Sequence, residues 1–282
     1  MSKFIFLILH YYTHEDTIKC VESIKKLNYT NYEIVIVDNG SQNLSGKLLK
    51  DKYKDDSKIH VILSEKNLGF ANGNNLGFKY IKENLKADFI IMCNNDVYMI
   101  QKDFCAKIVE EYEKSAFALL GPQILLKNNE ICNYEDTLPS LTQLKLKLIT
   151  TYAHYYLNKV YLKIIYALCY RIKNIFKRKN IVNISRRKEN VIIHGCCMIF
   201  SSVYIKKFEG IDNRTFLYYE EPLLYIRLRK NNMKSVYNPN IKIFHNEGVA
   251  TNKTIKNKRN KVDFILKNEI SSLKVLISEV KQ

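Results

Sequence analysis

Asp88-Phe-Ile-Ile-Met-Cys-Asn-Asn-Asp96 is the stretch on which the reading of this chain turns. Its apolar part, Phe89 to Met92, is short and unalternated, as a fully buried strand is. It stops in two amides and a carboxylate. Open α/β sheets gather ligands outside the carboxyl ends of their strands. Asp96 at such an end offers a hard anionic oxygen suited to Mg²⁺ or Mn²⁺, and a diphosphate can fill the rest of the shell. The same residues also make an ordinary turn, because Asn and Asp bond their own backbone. The surrounding sequence has to separate the two readings.

Upstream, strands and helices alternate. Lys3–Leu9, Glu33–Val37 and Ile59–Leu63 read as strands, and Leu44–Tyr53 as a helix. Glu15–Leu27 reads as a helix with Ile18, Val21, Ile24 and Leu27 on one face. A Gly/Asn loop, Asn67 to Asn75, then runs into a helix through Leu85. Strands written as apolar runs imply a mostly parallel sheet covered on both faces. Downstream, Leu119–Leu126 is a further strand and the sheet pattern resumes at Val191–Phe200. Val203–Phe208 and Pro222–Asn231 read as helices, Lys234–Tyr237 and Ile241–Phe244 as strands, and Asp263–Val280 as a C-terminal helix. From Leu141 to Asn180 the character changes. Leu144, Leu148, Tyr152, Tyr155, Leu162 and Ile165 recur at helical spacing, and the segment ends in a basic run, Arg171 to Lys179. The expected division is a catalytic domain over 1–250, carrying a basic, Tyr-rich helical insert at 141–180, and a C-terminal basic stretch and helix over 251–282.

Composition sets the bounds. The 282 residues are 46% hydrophobic, enough for one sizeable core with an appendage. A net charge of +17, from 45 Lys and Arg against 28 Asp and Glu, points to an anionic partner. Much of the excess is Lys and, beside abundant Asn and Ile, reflects genome composition in part. No RRM, KH, zinc-finger or helix-turn-helix signature accompanies the charge, so a nucleic-acid partner is not expected. The seven cysteines are scattered with no CxxC pair, as in a reduced compartment. The apolar start, Phe4 to Leu9, has no cleavage site and passes at once into Tyr12-Thr-His-Glu-Asp16, so it reads as a first strand. No uninterrupted apolar stretch reaches the ~18–20 residues of a membrane span.

Five further segments carry chemistry. Strand one ends in His10-Tyr11-Tyr12 and strand two in Asp38-Asn39-Gly40-Ser41. As parallel neighbours these ends lie side by side, where Tyr11 can stack on a nucleobase and Asp38 can accept an N–H from its edge. Packing for Tyr11 and a plain turn for Asp38 are equally open. The Asn67–Asn75 loop holds Gly69 and Gly73 but no Lys, so it is neither a P-loop nor GxGxxG after strand one. Its glycines allow close backbone approach, and Asn72, Asn74 and Asn75 can bond hydroxyls or cap a helix. Thr215-Phe-Leu-Tyr-Tyr-Glu-Glu221 sets two carboxylates at a helix start, where the dipole favours them and where one can serve as a general base. His245 closes a strand and can complete a metal site begun by Asp96.

Together these segments resemble the inverting family 2 glycosyltransferases, especially the rhamnosyltransferase-like, capsule or O-antigen branch. The resemblance spans roughly Lys3 to Thr251. It rests on Asn67-Leu-Gly-Phe-Ala-x-Gly-Asn-Asn75, Phe216-Leu-Tyr-Tyr-Glu-Glu221, Arg227, and His245 with Gly248. It implies a GT-A fold, a nucleotide-diphosphate-sugar donor of UDP or dTDP type, and Mg²⁺ or Mn²⁺. By this resemblance Tyr11 and Asp38 hold the base, and Asn67, Gly69 and Asn72 face the donor. Asn94-Asn95-Asp96 occupies the DxD position, with Asn94 in place of the usual Asp. Asp96 and His245 are the metal ligands. The catalytic base is Glu221, with Glu220 as the alternative. Leu223 stands where a further acidic residue often follows. The acceptor implied is a glycan or lipid-linked oligosaccharide hydroxyl in bacterial surface-polysaccharide synthesis. The expected place is the cytoplasm, with the basic insert either resting on the anionic inner face of the plasma membrane or packing as a subdomain. A catalytically inactive partner subunit is the alternative reading.

Overall fold

The structure is a computed structural model describing residues 1–127, 130–132, 134–159, 185–246 and 258–282. A ten-stranded sheet runs through it. Its first half is β1 (Phe4–His10), β2 (Tyr32–Asp38), β3 (Ile59–Leu63) and β4 (Phe89–Asn94), all parallel, in the order β3-β2-β1-β4. Beyond β4 lie β9 (Cys197–Ser201), β6 (Leu119–Leu125), β10 (Ser235–His245) and β5 (Val97–Met99). Of these, β9 and β5 run against their neighbours, while β10 is parallel to β6. Two short strands, β7 (Ile131–Cys132) and β8 (Lys188–Glu189), pair with β6 and β10.

This order sets the site. His10 pairs with Asp38, Leu9 with Asn94, Cys93 with Cys197, and His245 with Val97. The carboxyl ends of β1, β2, β4 and β10 and the start of β9 therefore share one edge. Chain order reverses between β1 and β4, the topological switch at which open α/β sheets form a crevice.

Both faces of the sheet are buried, which is why its strands are apolar throughout. Phe4, Phe6 and Ile8 pack on α1 (His14–Lys25), α2 (Ser45–Tyr53) and α4 (Phe104–Ser115) through Val21, Ile24, Leu49 and Ile108. Ile5 and Leu7 face α3 (Gly69–Asn84) through Ala71, Phe78 and Ile81. That layer also holds α6 (Ser202–Ile205) and the inner face of α7 (Glu220–Lys230). A third cluster lies apart: Leu144 of α5 (Leu141–Lys159), Leu223 and Ile226 of α7, and Leu273, Leu276 and Ile277 of α8 (Lys258–Lys281). The insert and the C-terminal helix thus form one roof over α7.

Several expectations change. The Gly/Asn segment is helix from Gly69 onward. Gly73 and Gly77 lie inside α3 because a Cβ at either would strike Leu9, or Leu7 and Val37. The two strands expected at Lys234–Tyr237 and Ile241–Phe244 are one, irregular between Asn238 and Lys242 where Pro239 interrupts the ladder. Within Val191–Phe200 the strand begins at Cys197. Residues 160–180 of the expected insert, Gly248 and the stretch 251–257 lie outside the described residues.

Candidate active site

One side of the edge is built from the ends of β1 and β2. Tyr11 is half-buried, its ring edge-on to Tyr12 at 4.6 Å, and its side chain bonds that of Asn67. Asp38 is 5% exposed, and its Oδ1 accepts from the Ser41 hydroxyl at 2.5 Å and the Ser41 N–H at 3.2 Å. Burial holds its carboxyl above the usual range, against the pull of Ser41. Asn67 Oδ1 accepts from the Gly69 N–H at 2.8 Å and from Asn39 Nδ2 at 3.1 Å. Asn39, which the sequence reading passed over, is the clasp of this side. Its amide also donates to the Gly69 carbonyl and accepts from the Leu68 N–H.

Gly69 has φ +82, and a Cβ there would fall on the Phe216 carbonyl. That carbonyl accepts the Phe70 N–H at 2.8 Å, so the loop before α3 and the segment before Glu220-Glu221 are directly joined. Asn75 strengthens the joint, donating to the Ile211 carbonyl and accepting from its N–H. Asn72 reaches toward the Asn213 carbonyl at 3.4 Å.

At the end of β4 the three polar residues separate. Asn94 lines the cavity described below. Asn95 points inward: its amide donates to Thr13 and Thr17, so its side chain holds the β4–β5 turn to α1 rather than facing a donor. Asp96 Oδ1 stands 3.2 Å from His245 Nε2, both residues buried to 6% exposure. The Asn246 N–H bonds the Asp96 carbonyl and fixes the two strand ends together. Cis ligands on a cation with bonds of about 2.1 Å stand about 3 Å apart, so this spacing fits Mg²⁺ or Mn²⁺. Among the described residues no set of three or more His, Cys, Asp or Glu side chains is arranged for a metal. The remaining ligands would come from diphosphate and water.

On the far side of Asn94 opens a cavity of about 570 Å³. Glu221 lines it, with Oε1 accepting from the Gly195 N–H at 3.1 Å. Glu220, 4% exposed, accepts from the Thr215 hydroxyl at 2.9 Å. Burial, then the neighbouring Glu221, pushes its carboxyl up to about 7. The two carboxylates thus differ: one is tied beneath the surface, and the other stands half-exposed in the cavity. The turn before them is unusual, with Tyr218 and Tyr219 at φ 76 and 67, a backbone region that non-glycine residues occupy at a cost. Pro222 falls in the first turn of α7, where its missing N–H costs nothing.

Residues the sequence reading did not single out also meet here. His194 lines the cavity next to Gly195, its ring 6.5 Å from that of His245. Its Nδ1 accepts the Cys196 N–H, so the neutral ring carries its proton on Nε2. Glu135, Lys147 and Glu269 arrive from distant segments. Arg227, one of the residues that carry the family resemblance, lies away from the cavity behind α7, donating to the Tyr204 hydroxyl and the Gly210 carbonyl. Leu223, in the place of a further acidic residue, is 1% exposed and anchors α7 to the roof.

The family model described as glycosyl transferase family 2 matches residues 7–208. Glycosyltransferase GlyG of Streptococcus pneumoniae is 28% identical over 122 residues, 43% of this chain and 39% of that protein. The low-salt glycan biosynthesis hexosyltransferase Agl10 of Haloferax volcanii is 23% identical over 248 residues, 86% of this chain and 67% of that protein. The crystal structure of S. aureus TarS 1-349 in complex with UDP-GlcNAc has the same fold, with a TM-score of 0.55 at 14% identity over 95% of this chain and 66% of that one. With most of its length matched by the family model, the chain belongs to glycosyl transferase family 2.

Proposed function

We propose that this chain is an inverting glycosyltransferase. It moves a sugar from a UDP- or dTDP-type donor to a hydroxyl of a glycan or lipid-linked acceptor in cell-surface polysaccharide synthesis. The observation that carries this reading is the order of groups along one sheet edge. Tyr11 and Asp38 stand at the ends of β1 and β2, Asp96 and His245 pair at the ends of β4 and β10, and beside Asn94 opens a cavity with a half-exposed carboxylate.

Asp96 and His245 would hold Mg²⁺ or Mn²⁺, whose charge neutralises the diphosphate as it leaves. Glu221, oriented by the Gly195 N–H, takes the proton of the acceptor hydroxyl. The oxygen forms a bond to the anomeric carbon from the face opposite the diphosphate. The carbon–oxygen bond to the diphosphate breaks with its electron pair, and the centre inverts in one displacement. Glu220 is poorly placed for this work, being buried and bonded to Thr215.

Glu221→Gln should lower transfer about 10²–10⁴-fold while nucleotide binding stays, and Glu220→Gln should not reproduce that loss. Transfer by Glu221→Gln at the wild-type rate, or a product retaining the donor's anomeric configuration, would overturn the assignment.

For the acceptor's setting, we propose contact with an anionic membrane surface at the inner face of the plasma membrane. The support is α5, which exposes Leu146, Ile149 and Tyr156 by 60%, 65% and 61% on the side turned away from its roof packing. Among the described residues no helix is long and apolar enough to cross a membrane.

A further inference from the structure

We infer that the cavity beside Glu221 receives the acceptor's reacting sugar as an uncharged or amino-bearing ring, and turns away one that carries a carboxylate or phosphate. This rests on the glycosyltransferase reading and names the acceptor class of the same site.

The volume, about 570 Å³, lies in the range of small-ligand cavities. The residues of the nucleotide and metal side, Tyr11, Asp38, Asp96 and His245, do not line it; Asn94, Phe70 and His194 border both, the last with its ring 6.5 Å from that of His245. A donor sugar reaching Glu221 from the diphosphate therefore enters across this border, and the space beyond is left for the acceptor. Its walls include the rings of Phe70, Tyr218 and Tyr219, apolar surfaces against which a pyranose can lay its C–H face.

The charges in this space come from separate elements and do not balance. Glu221 stands on α7, Glu269 on α8 and Glu135 between β7 and α5, bridged to Ile192. Against them, among the described residues, Lys147 is the one Lys or Arg on the lining. That ammonium is engaged, 3.3 Å from Glu269 and over the Tyr219 ring at 5.0 Å, and the Tyr219 hydroxyl donates to the same carboxylate at 3.2 Å. Glu135 is held in place by paired backbone bonds with Ile192, at 3.0 and 2.9 Å, on the strip that leads to His194 and Gly195. Burial, then the charge of Glu221, raises its carboxyl above the usual range, with Lys147 pulling the other way. The two carboxylates therefore share one field.

The contrast with the rest of the molecule matters. The chain carries +17 overall, yet the described residues lining this cavity are net negative. An anion attracted to the surface would meet like charge within, in a site of reduced dielectric where repulsion is strong. Hydroxyl and ammonium groups are donors, and carboxylates are acceptors that satisfy them. The basic exterior thus suits an anionic surface outside, while the interior suits a neutral or cationic ring.

The test is direct binding to the full chain, read by saturation-transfer NMR. The probes are methyl β-glucoside and methyl β-galactoside, their 2-amino analogues and their 6-uronates. Neutral and amino forms should bind, with uronates at least about tenfold weaker. Glu135→Gln, and separately Glu269→Gln, should raise uronate affinity several-fold relative to that of the neutral glycosides. Uronates binding the wild type as well as their neutral partners, indifference of uronate affinity to both variants, or no binding by any glycoside would each overturn the inference. Hydrolysis of UDP- and dTDP-sugars without acceptor, measured on the same preparation, separates the two levels. Hydrolysis with tight uronate binding sinks the acceptor class alone. No hydrolysis of any donor sinks the glycosyltransferase reading and the acceptor assignment with it.

Discussion

Glu220 and Glu221 are neighbours in sequence with opposite surroundings, and that difference has a thermodynamic signature. Glu220 is buried, and its carboxyl is raised from 4.5 to about 7. A carboxyl raised on folding binds its proton more tightly in the native state. The associated stability is present below about 4.5 and is lost as pH rises through about 7. Wild type should therefore lose up to about 3 kcal/mol across that window relative to Glu220→Gln, seen as diverging melting temperatures. Parallel curves for the two proteins would contradict the buried-carboxyl account. Thr215→Ala should move the wild-type loss to higher pH, because the Thr215 hydroxyl stabilises the ionised form. Gly69 makes a second residue-scale case. Its φ of +82 and its closeness to the Phe216 carbonyl leave no room for a side chain. Gly69→Ala should break the joint to the segment before Glu220 and abolish donor turnover while far-UV circular dichroism is kept. Full activity in that variant would show that the joint is dispensable. Both sites were legible as motifs in the sequence, but their division of labour was not. Which of two adjacent glutamates is buried depends on Thr215 and Gly195, and hydrogen bonds to these are not written in a local pattern.

Elements were legible where their burial is simple. The four parallel strands are apolar because both faces are covered, and an apolar run is what a single sequence displays best. Helix α4 escaped the sequence reading for the opposite reason. Its inward face includes Glu111, 2% exposed and held by Arg187 through bonds of 2.9 and 3.0 Å. A charge looks solvent-facing until its partner, 76 positions away, is known. Helix α5 shows both sides of the problem. Its amphipathic spacing was visible, but the spacing could not say which stripe meets protein. Leu144 and Thr151 face inward, while Leu146, Ile149 and Tyr156 face out. If the outer stripe rests on lipid, Leu146→Ser with Ile149→Ser should weaken co-flotation with vesicles containing anionic lipid by about tenfold or more, since each buried aliphatic side chain contributes about 1.5–3 kcal/mol. Transfer to a soluble acceptor should be unchanged, because neither side chain lines the cavity. Equal flotation by wild type and variant would leave α5 a packing helix only.

At the scale of the whole molecule, the site is a meeting of two constructions. The sheet brings Asp38, Asn94, Asp96 and His245 to one edge, and this part was legible because each polar motif follows directly on an apolar strand run. The roof did not follow. Lys147 and Glu269 meet over Tyr219 only because α5 and α8, more than 100 positions apart, close on Leu223 and Ile226. The two constructions should be separable by mutation. Leu273 is fully buried in the roof cluster and distant in sequence from every donor-side residue. Leu273→Ala should destabilise by about 3 kcal/mol through lost burial and the void left behind. It should loosen the wall that carries Glu269, on the same helix four residues earlier. Metal-dependent stabilisation by a UDP- or dTDP-sugar should survive, since a ligand that binds the native state raises the melting temperature by mass action and the donor edge is built from the sheet. Transfer to acceptor should fall more than donor hydrolysis does. Asp96→Ala should give the converse: an intact roof and no metal-dependent donor stabilisation. Two variants failing in the same way would mean that donor and acceptor share one cooperative unit. Failure in opposite ways would show the sheet binding the donor and the roof admitting the acceptor.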